Sequence, residues 1–388
     1  ESLGESVVDL DQRLQRFEGF ERLASAGRTM SLMVTGPIMG AFYGAARASI
    51  SFESAFVGVR KTIDETEEGF ARLEAGITEM SRRLPESREQ LATVMGMAGQ
   101  LGVRGVENLL RFTEIAVGMG VATNLSSEAA STAMARFAAI MEMPLEQVDR
   151  LGSTIVALGN QLPVTEAEIM EMGLRIAGAG KQIGLTSPQV LGLAGALASV
   201  GIEAEAGGSA ISRVLIGMAN AVRSNTEELG LFAFTAGMST EQFRQAFEQD
   251  AAGALLAVVE GLRRLADSGE NVFLILEQLG IDEIRTRDAM LRLAGAGQRL
   301  REALDMANVG WEENRALTEE VRRRNATVAA QLGVLRNRLA ILADSFGRLL
   351  LPMLIRGVEI VSPFVDALAS APAPVRGLIL VLAGLAAA

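Results

Sequence analysis

The sequence predicts an all-α fold, a multi-helix bundle of short helices followed by a longer C-terminal helix of coiled-coil type. Along most of the chain, apolar residues recur at the three- and four-residue spacing of a helix face. Several Ser and Thr residues are followed three positions later by Glu or Gln, the pattern of a capping box at a helix start. Hydrophobic residues make up 49% of the chain but aromatic residues only 4%, and few segments alternate as strands do.

The helices of the bundle follow one another from residue 85. Apolar residues at helical spacing define the first two: Leu91, Val94, Met95, Ala98 and Leu101, then Ala130, Ala133, Met134, Phe137 and Met141. Pro144 is predicted in the first turn of a third helix. Capping boxes mark three later starts: Thr165 with Glu168, Thr186 with Gln189, and Ser239 with Gln242. The pattern restarts at 224–229 before a glycine-containing connection, and further helices are predicted over 254–265, 272–279 and 283–293.

After Trp311 the apolar residues take the alternating four- and three-residue spacing of a coiled coil. Leu332, Leu339 and Phe346 fall at a positions of this seam, and Val328, Leu335, Leu342 and Leu349 at d positions. Extending the register backwards places Asn325 at a and Val321 at d. Two interpretations stay open: self-association through the seam, and a long helix packing on its own chain.

The charges beside the seam favour a parallel arrangement of identical helices. In that arrangement each g residue meets the e residue five positions on, so Gln331 lies opposite Arg336, and Arg338 opposite Ala343. No like charges meet. The basic triplet at 322–324 lies beside the back-extended seam, and it lacks the interleaved aromatic residues of a single-stranded nucleic-acid site.

Three uncharged segments raise the question of membrane contact. Residues 29–46 carry Gly36, Gly40 and Gly44 on one helix face, which favours close helix packing over membrane insertion because Pro37 interrupts the helix. Residues 182–202 are predicted as a buried core helix. Residues 377–388 are too short to span a bilayer but could begin a transmembrane helix or end a core helix.

Composition excludes several kinds of chemistry within this chain. It has no Cys and no His, so thiolate nucleophiles, disulfides, His-dependent triads and ordinary structural zinc sites are absent. We expect no enzyme activity, cofactor or metal. The net charge of −11 opposes tight binding to DNA, which requires basic groups to neutralise phosphates.

Two segments that superficially suggest sites are better explained by helix ends. Residues 178–184 contain three glycines and Lys181, but their spacing fits neither a dinucleotide nor a Walker motif. A helix end followed by a turn explains these glycines. Glu166, Glu168 and Glu171 fit a solvated helix face near a helix N-terminus.

Three segments together resemble the central region of tape measure proteins from long-tailed bacteriophages and prophage tails. They are VATNLS at 121–126, LGSTIVALGN at 151–160 and LASVGIEAEAGGSAISRVL at 197–215. A weaker resemblance extends from about residue 52 to 352 and includes the segments at 250–255, 279–285, 287–296 and 349–352. The resemblance implies an extended helical homotrimer inside the tail tube, which sets tail length and leaves ahead of the DNA at infection.

The resemblance also implies partners and places. The partners are the tail tube protein, tail-tip or distal tail proteins and tail assembly chaperones, with possible contact to the host membrane and no specific nucleic-acid binding. The places are the virion, in the tube lumen or at the tip, and the host envelope during infection. The alternative is a membrane-active, pore-forming helical protein. The chain begins without Met and stops within an apolar run, so we expect it to be a piece of a longer protein.

Four regions organise the chain in this interpretation. Residues 1–50 form an N-terminal helix and an apolar glycine-rich segment, and 51–222 form the helical tape-measure core. Residues 223–310 form a second helical lobe, which could stack directly on the first because no linker rich in Pro or Ser separates them. Residues 311–388 hold the coiled-coil helix and the start of a hydrophobic segment.

Overall fold

The computed structural model describes residues 51–345, and these residues form helices and turns without a strand. The prediction of an all-α, multi-helix fold is therefore confirmed. The predictions for residues 1–50 and 346–388 lie outside the described residues, including those for Gly36, Gly40, Gly44, Phe346 and Leu349. The chain divides into two compact units, Ser54–Asn337 and a second made of Glu1–Glu53 with Arg338–Ala388.

The helices are numbered in chain order. The first half comprises α1 (51–62), α2 (Glu67–Arg83), α3 (Arg88–Gln100), α4 (Val106–Ala122), α5 (Ser127–Met141), α6 (Val148–Gln161), α7 (Glu166–Gln182), α8 (Ser187–Ser199) and α9 (Ala204–Ser224). The second half comprises α10 (Glu227–Ala236), α11 (Thr240–Gln249), α12 (Ala251–Asp267), α13 (Val272–Gln278), α14 (Ile284–Gly295), α15 (Gly297–Glu313), α16 (Ala316–Asn325) and α17 (328–345). The suggested boundary at 222/223 falls within α9.

The centre of the larger unit is α8, which packs between α7 and α15. Leu191, Leu193 and Leu197 have no solvent exposure. A Cβ atom at Gly192 would lie 3.0 Å from the carbonyl oxygen of Ala303, so glycine permits the close approach of α15. The interpretation of 182–202 as a buried core segment is confirmed. Along residues 51–345, no helix combines the length and apolar content needed to cross a bilayer.

The other helices form two groups of contacts. In the first, α4 packs against α3 and α5, and α7 packs against α5 and α9. In the second, α10 and α11 pack on α12, and α14 packs on α9. The rings of Phe232 and Phe243 stack between α10 and α11 with centroids 6.1 Å apart. Because α15 also packs on α6, the later helices are joined to the earlier ones through buried apolar side chains.

All three predicted capping boxes are present. In each, the Ser or Thr hydroxyl accepts a hydrogen bond from the third backbone amide of the helix, and the Glu or Gln side chain accepts one from the capping residue's amide. A fourth box, Ser87 with Gln90, starts α3 and was missed by the sequence analysis.

Two local predictions differ from the structure. Pro144 precedes a short 3-10 helix, Leu145–Gln147, and α6 begins only at Val148. Gly230 lies inside α10 rather than in a connection, since the flanking Leu229 and Phe232 are buried and hold the segment helical. The connection is the preceding turn, where Asn225 ends α9 in the left-handed conformation at φ 50°.

Candidate self-association helix

Helix α17 carries the seam residues that the structure describes. Thr327 starts it: its hydroxyl accepts a hydrogen bond of 3.3 Å from the amide of Ala330, and its carbonyl accepts one of 3.0 Å from the amide of Gln331. From Val328 the helix continues without a break to residue 345. The a and d positions between Val328 and Leu342 therefore lie on one helix face.

The apolar side chains of this face are exposed. Val328, Leu332, Leu335, Leu339 and Leu342 are between 52% and 73% accessible to solvent. These five residues, three or four positions apart, form a continuous apolar stripe along one side of the helix. A contiguous exposed apolar patch is typical of an interaction surface, whereas single exposed apolar residues are common on any protein. The structure thus places these five seam residues together and leaves them uncovered among the described residues.

The opposite face of α17 is packed, and it corresponds to the b, c and f positions of the same heptad. Asn337, at f, is buried, whereas Gly333 at b and Val334 at c are half-buried. The side-chain amide of Asn337 donates hydrogen bonds to the backbone carbonyls of Leu84, at 3.0 Å, and Glu86, at 2.7 Å. These carbonyls belong to the turn between α2 and α3, so the outer face of the heptad is the docked face.

Gly333 permits this docking. A Cβ atom there would lie 3.0 Å from the Cβ of Pro85, in the same turn. Two interpretations were open from the sequence, self-association and packing on the chain itself. Packing on the chain occupies the b, c and f positions, and it leaves the a and d residues from Val328 to Leu342 exposed among the described residues.

The backward extension of the seam to Asn325 and Val321 is corrected by the structure. Asn325 is the last residue of α16, and Ala326 and Thr327 separate it from α17. Helix α16 packs on α4 and α6. The cause is long-range: a Cβ at Gly118 would touch Val321 at 3.4 Å, and one at Gly152 would touch Leu317 at 2.8 Å. The Val321 side chain thus packs in the space beside Gly118 of its own chain.

A polar contact fixes the turn that leads into α16. Asn314, in the left-handed conformation at φ 47°, donates a hydrogen bond of 2.8 Å to Asp149 at the start of α6. Arg111 donates one of 2.7 Å to the same carboxylate oxygen. Burial raises the pKa of Asp149, but the hydrogen bonds from Asn314 and Arg111 outweigh it, so this pKa lies below its usual range.

The arginines of the triplet at 322–324 were predicted to lie beside the back-extended seam, but they lie on α16. Arg323 and Arg324 pair with Glu320 on the same helix, at 3.2 Å and 3.0 Å. These intrahelical pairs account for two of the three charges, which lie on α16 and not beside α17. Arg336 and Arg338 do flank the exposed stripe, at e and g, and both are exposed.

Helix ends explain the glycine segment at 178–184 and the capping role of Glu168, neither of which marks a binding site. Gly178 and Gly180 lie within α7, and Gly184 forms the turn after it at φ 87°. Glu168 belongs to the capping box, and hydrogen bonds from the backbone amide and hydroxyl of Thr165 lower its pKa. Among residues 51–345, no group of three or more Asp and Glu residues is placed to hold a metal ion.

Comparison with known families adds an independent observation. The model of one family, described as phage-related minor tail protein, matches residues 74–280, just over half of the chain. The chain belongs to the phage-related minor tail protein family. No curated protein and no solved structure matches it. Membership assigns the chain a structural role in a phage tail and the virion as its place.

The matched residues cover most of the central bundle. They run from within α2 to the turn after α13, so α14, α15, α16 and α17 lie beyond the match. The match therefore covers part of the packed body, and it includes neither α15, which packs on α8, nor the exposed stripe of α17.

Proposed function

We propose that this minor tail protein is the tape measure protein of its tail. It lies in the tail tube, sets tail length during assembly, and is released towards the host envelope to help DNA delivery. The observation that supports this is the position of the three resembling segments, at 121–126, 151–160 and 197–215, all within the family match at 74–280. A helix rises about 1.5 Å per residue, so length can scale with residue number in a helical protein.

We further propose that copies of the chain associate in parallel through α17, as a homotrimer. The exposed a and d residues from Val328 to Leu342 supply the apolar seam, and Phe346 and Leu349 continue its spacing. Asn325 is not part of this proposal, because it lies on α16. Since α17 docks on its own body through b, c and f, the trimer can form without undocking α17.

The remaining partners follow from the same proposal. A tape measure inside a tube meets the tail tube protein along its length and tail-tip or distal tail proteins at its end. Tail assembly chaperones bind it before the tube closes, and the host membrane is met only on release. The acidic net charge of −11 favours passage of DNA without tight binding.

The ruler function is tested by in-frame deletions in the full-length gene. We expect tails imaged by electron microscopy to shorten in proportion to the helical residues removed, by about 1.5 Å for each. A control variant of unchanged length and outside the seam, Val309→Glu on α15, should give tails of unaltered length. Tails of unchanged length in every deletion would exclude the ruler role.

Self-association is tested by replacing Leu335 and Leu339 with Glu. We expect the mass measured by light scattering to fall from three chains to one, because a charge at a or d has no partner in an apolar seam. Val309→Glu with Val57→Glu is a matched control, since these residues are 51% and 59% exposed but lie on α15 and α1. Equal masses for the seam variant and the unaltered chain would contradict the proposal.

A further inference from the structure

A half-open groove runs along one face of α9, and no residue of α17 lines it. Its floor is the face of α9 between Arg213 and Ser224, and its walls are α10 and the segment 279–286. The groove encloses about 370 Å³. Its floor spans eleven residue steps, or about 16 Å of helix, which is close to three turns.

The floor is made of small side chains. Gly217 lies at its centre with Ala221 and Ser224 further along. A Cβ atom at Gly217 would meet nothing within 4 Å, so the space above this glycine is empty. Small residues at such a position allow the backbone of another helix to approach closely.

The walls are apolar and fixed in place. Phe232 on α10 and Leu279 and Ile281 on the other side are buried, and Phe232 is held by its stack with Phe243. The loop wall is held by Arg287, whose guanidinium donates to the carbonyls of Ile281, at 3.4 Å, and Asp282, at 2.9 Å. A groove with fixed walls loses little conformational entropy when a partner binds.

The rim carries more negative than positive charge. Three carboxylates, Glu228, Asp282 and Glu283, line the groove beside one guanidinium, that of Arg213. Arg213 pairs with Glu283 and donates to Thr286 at 3.1 Å. Within the part of the chain that the structure describes, Glu228 and Asp282 form no ion pair. The groove thus combines an apolar interior with a net negative rim.

We propose that this groove docks a short amphipathic helix of a partner protein, with an apolar stripe flanked by Lys or Arg. The apolar stripe lies over Gly217 between Phe232 and Ile281, and the basic side chains pair with Glu228 and Asp282. A peptide that binds by strand addition needs the unpaired edge of a sheet, whereas these walls are helices and a turn. The proposal is independent of any ruler function.

The test measures binding of a labelled 14-residue peptide, LKKLLKLLKKLLKL, to the whole chain by fluorescence anisotropy. We expect saturable binding that Gly217→Leu weakens by about tenfold or more, because the new side chain fills the floor. Gly178→Leu is the matched control: Gly178 is also inside a helix with nothing within 4 Å of an added Cβ, but it does not line the groove.

Both substitutions place a better helix former in a helix, so thermal melting should show folding at least as stable as in the unaltered chain. If both variants melt at or above the temperature of the unaltered chain, a loss of binding in Gly217→Leu does not come from unfolding. Replacing Glu228 and Asp282 with Gln and Asn should weaken binding several-fold at low salt and less at high salt.

Three outcomes of the binding measurements would overturn the proposal, and so would one change in oligomeric mass. One is no saturable binding, and another is equal affinity for the Gly217→Leu and Gly178→Leu variants. The third is equal binding of a peptide with Glu in place of every Lys. If Gly217→Leu instead lowers the oligomeric mass of the chain alone, the occupant is a second copy and the partner helix is excluded.

Discussion

Asn337 donates a hydrogen bond of 2.7 Å from its side-chain amide to the backbone carbonyl of Glu86. The same amide donates to the carbonyl of Leu84 at 3.0 Å, and Asn337 is only 6% exposed. One side chain thus satisfies two carbonyls of the turn between α2 and α3. An f position is normally the most exposed in a coiled coil, so a buried Asn there marks the face that docks on the body.

Asn337→Ala should undock α17 without weakening the seam. The variant leaves two carbonyls without their donor, which costs about 1–3 kcal/mol in the free energy of unfolding. Hydrogen exchange should speed up in the turn at residues 84–87 and on the docked face of α17. Arg336→Ala, next to it and exposed, should leave exchange in that turn unchanged. An unaltered exchange rate in Asn337→Ala would show that the hydrogen bonds do not hold the helix.

Glu86→Gln should stabilise the protein at neutral pH. Burial raises the pKa of the Glu86 carboxyl, and its Oε2 has no hydrogen-bond partner among the described residues. Because the folded pKa is raised, ionisation of Glu86 destabilises the folded state. The free energy of unfolding therefore falls as pH rises from about 4.3, the pKa of an unfolded Glu, through the folded pKa. Urea unfolding should show a gain for Gln at pH 7 that disappears near pH 3. A gain that is equal at both pH values would contradict this cause.

Asp149→Asn should lower the stability of the protein at neutral pH, whereas Glu86→Gln should raise it. The hydrogen bonds from Asn314 and Arg111 hold the folded pKa of Asp149 below its usual range despite burial. The stabilisation is therefore complete above the unfolded pKa of about 3.9 and is lost as pH falls through the folded value. We expect the variant to be less stable by about 1–2 kcal/mol at pH 7, with a smaller difference near pH 2.

The control for Asp149 is Asp288→Asn. Asp288 pairs with Arg292 one turn away at 2.9 Å on an exposed surface of α14, and such pairs contribute only about 0.3–0.5 kcal/mol. If the two variants lose equal stability at pH 7, the contact between Asp149 and Asn314 does not fix the turn into α16.

Local signals allowed much of the fold to be predicted. The capping boxes at Thr165, Thr186 and Ser239 need only residues three positions apart, and all three are present. The box at Ser87 has the same signal, a Gln three residues later, and could have been found. The heptad spacing of the apolar stripe on α17 was likewise visible in the sequence. Capping boxes and heptads both depend on the spacing of residues within one helix.

Contacts between distant residues could not be predicted. Val321 continues the heptad spacing, yet it packs against Gly118 on α4, more than two hundred residues earlier in the chain. Nothing near Val321 reveals that contact. Gly230 shows the same limit, since glycine disfavours a helix locally but the burial of Leu229 and Phe232 keeps α10 intact. The groove on α9 was missed because its floor and two walls come from three separate segments.

Gly261→Ala should be among the most damaging single changes in the helical body. A Cβ atom there would lie 1.7 Å from the carbonyl oxygen of Thr235 and 2.7 Å from its carbon, both backbone atoms of α10. Backbone cannot move aside as a flexible side chain can, so α12 must separate from α10. We expect a loss of about 3 kcal/mol or more in the free energy of unfolding by urea.

Gly230→Ala, on the neighbouring helix α10, should instead raise the stability of the protein. An added Cβ meets nothing within 4 Å at this exposed position inside α10, so the variant should gain about 0.5–1 kcal/mol from helix propensity. The two variants make the same chemical change and differ only in the space available. Equal stability of Gly261→Ala and Gly230→Ala would mean that α10 and α12 do not cross as closely as Thr235 and Gly261 require.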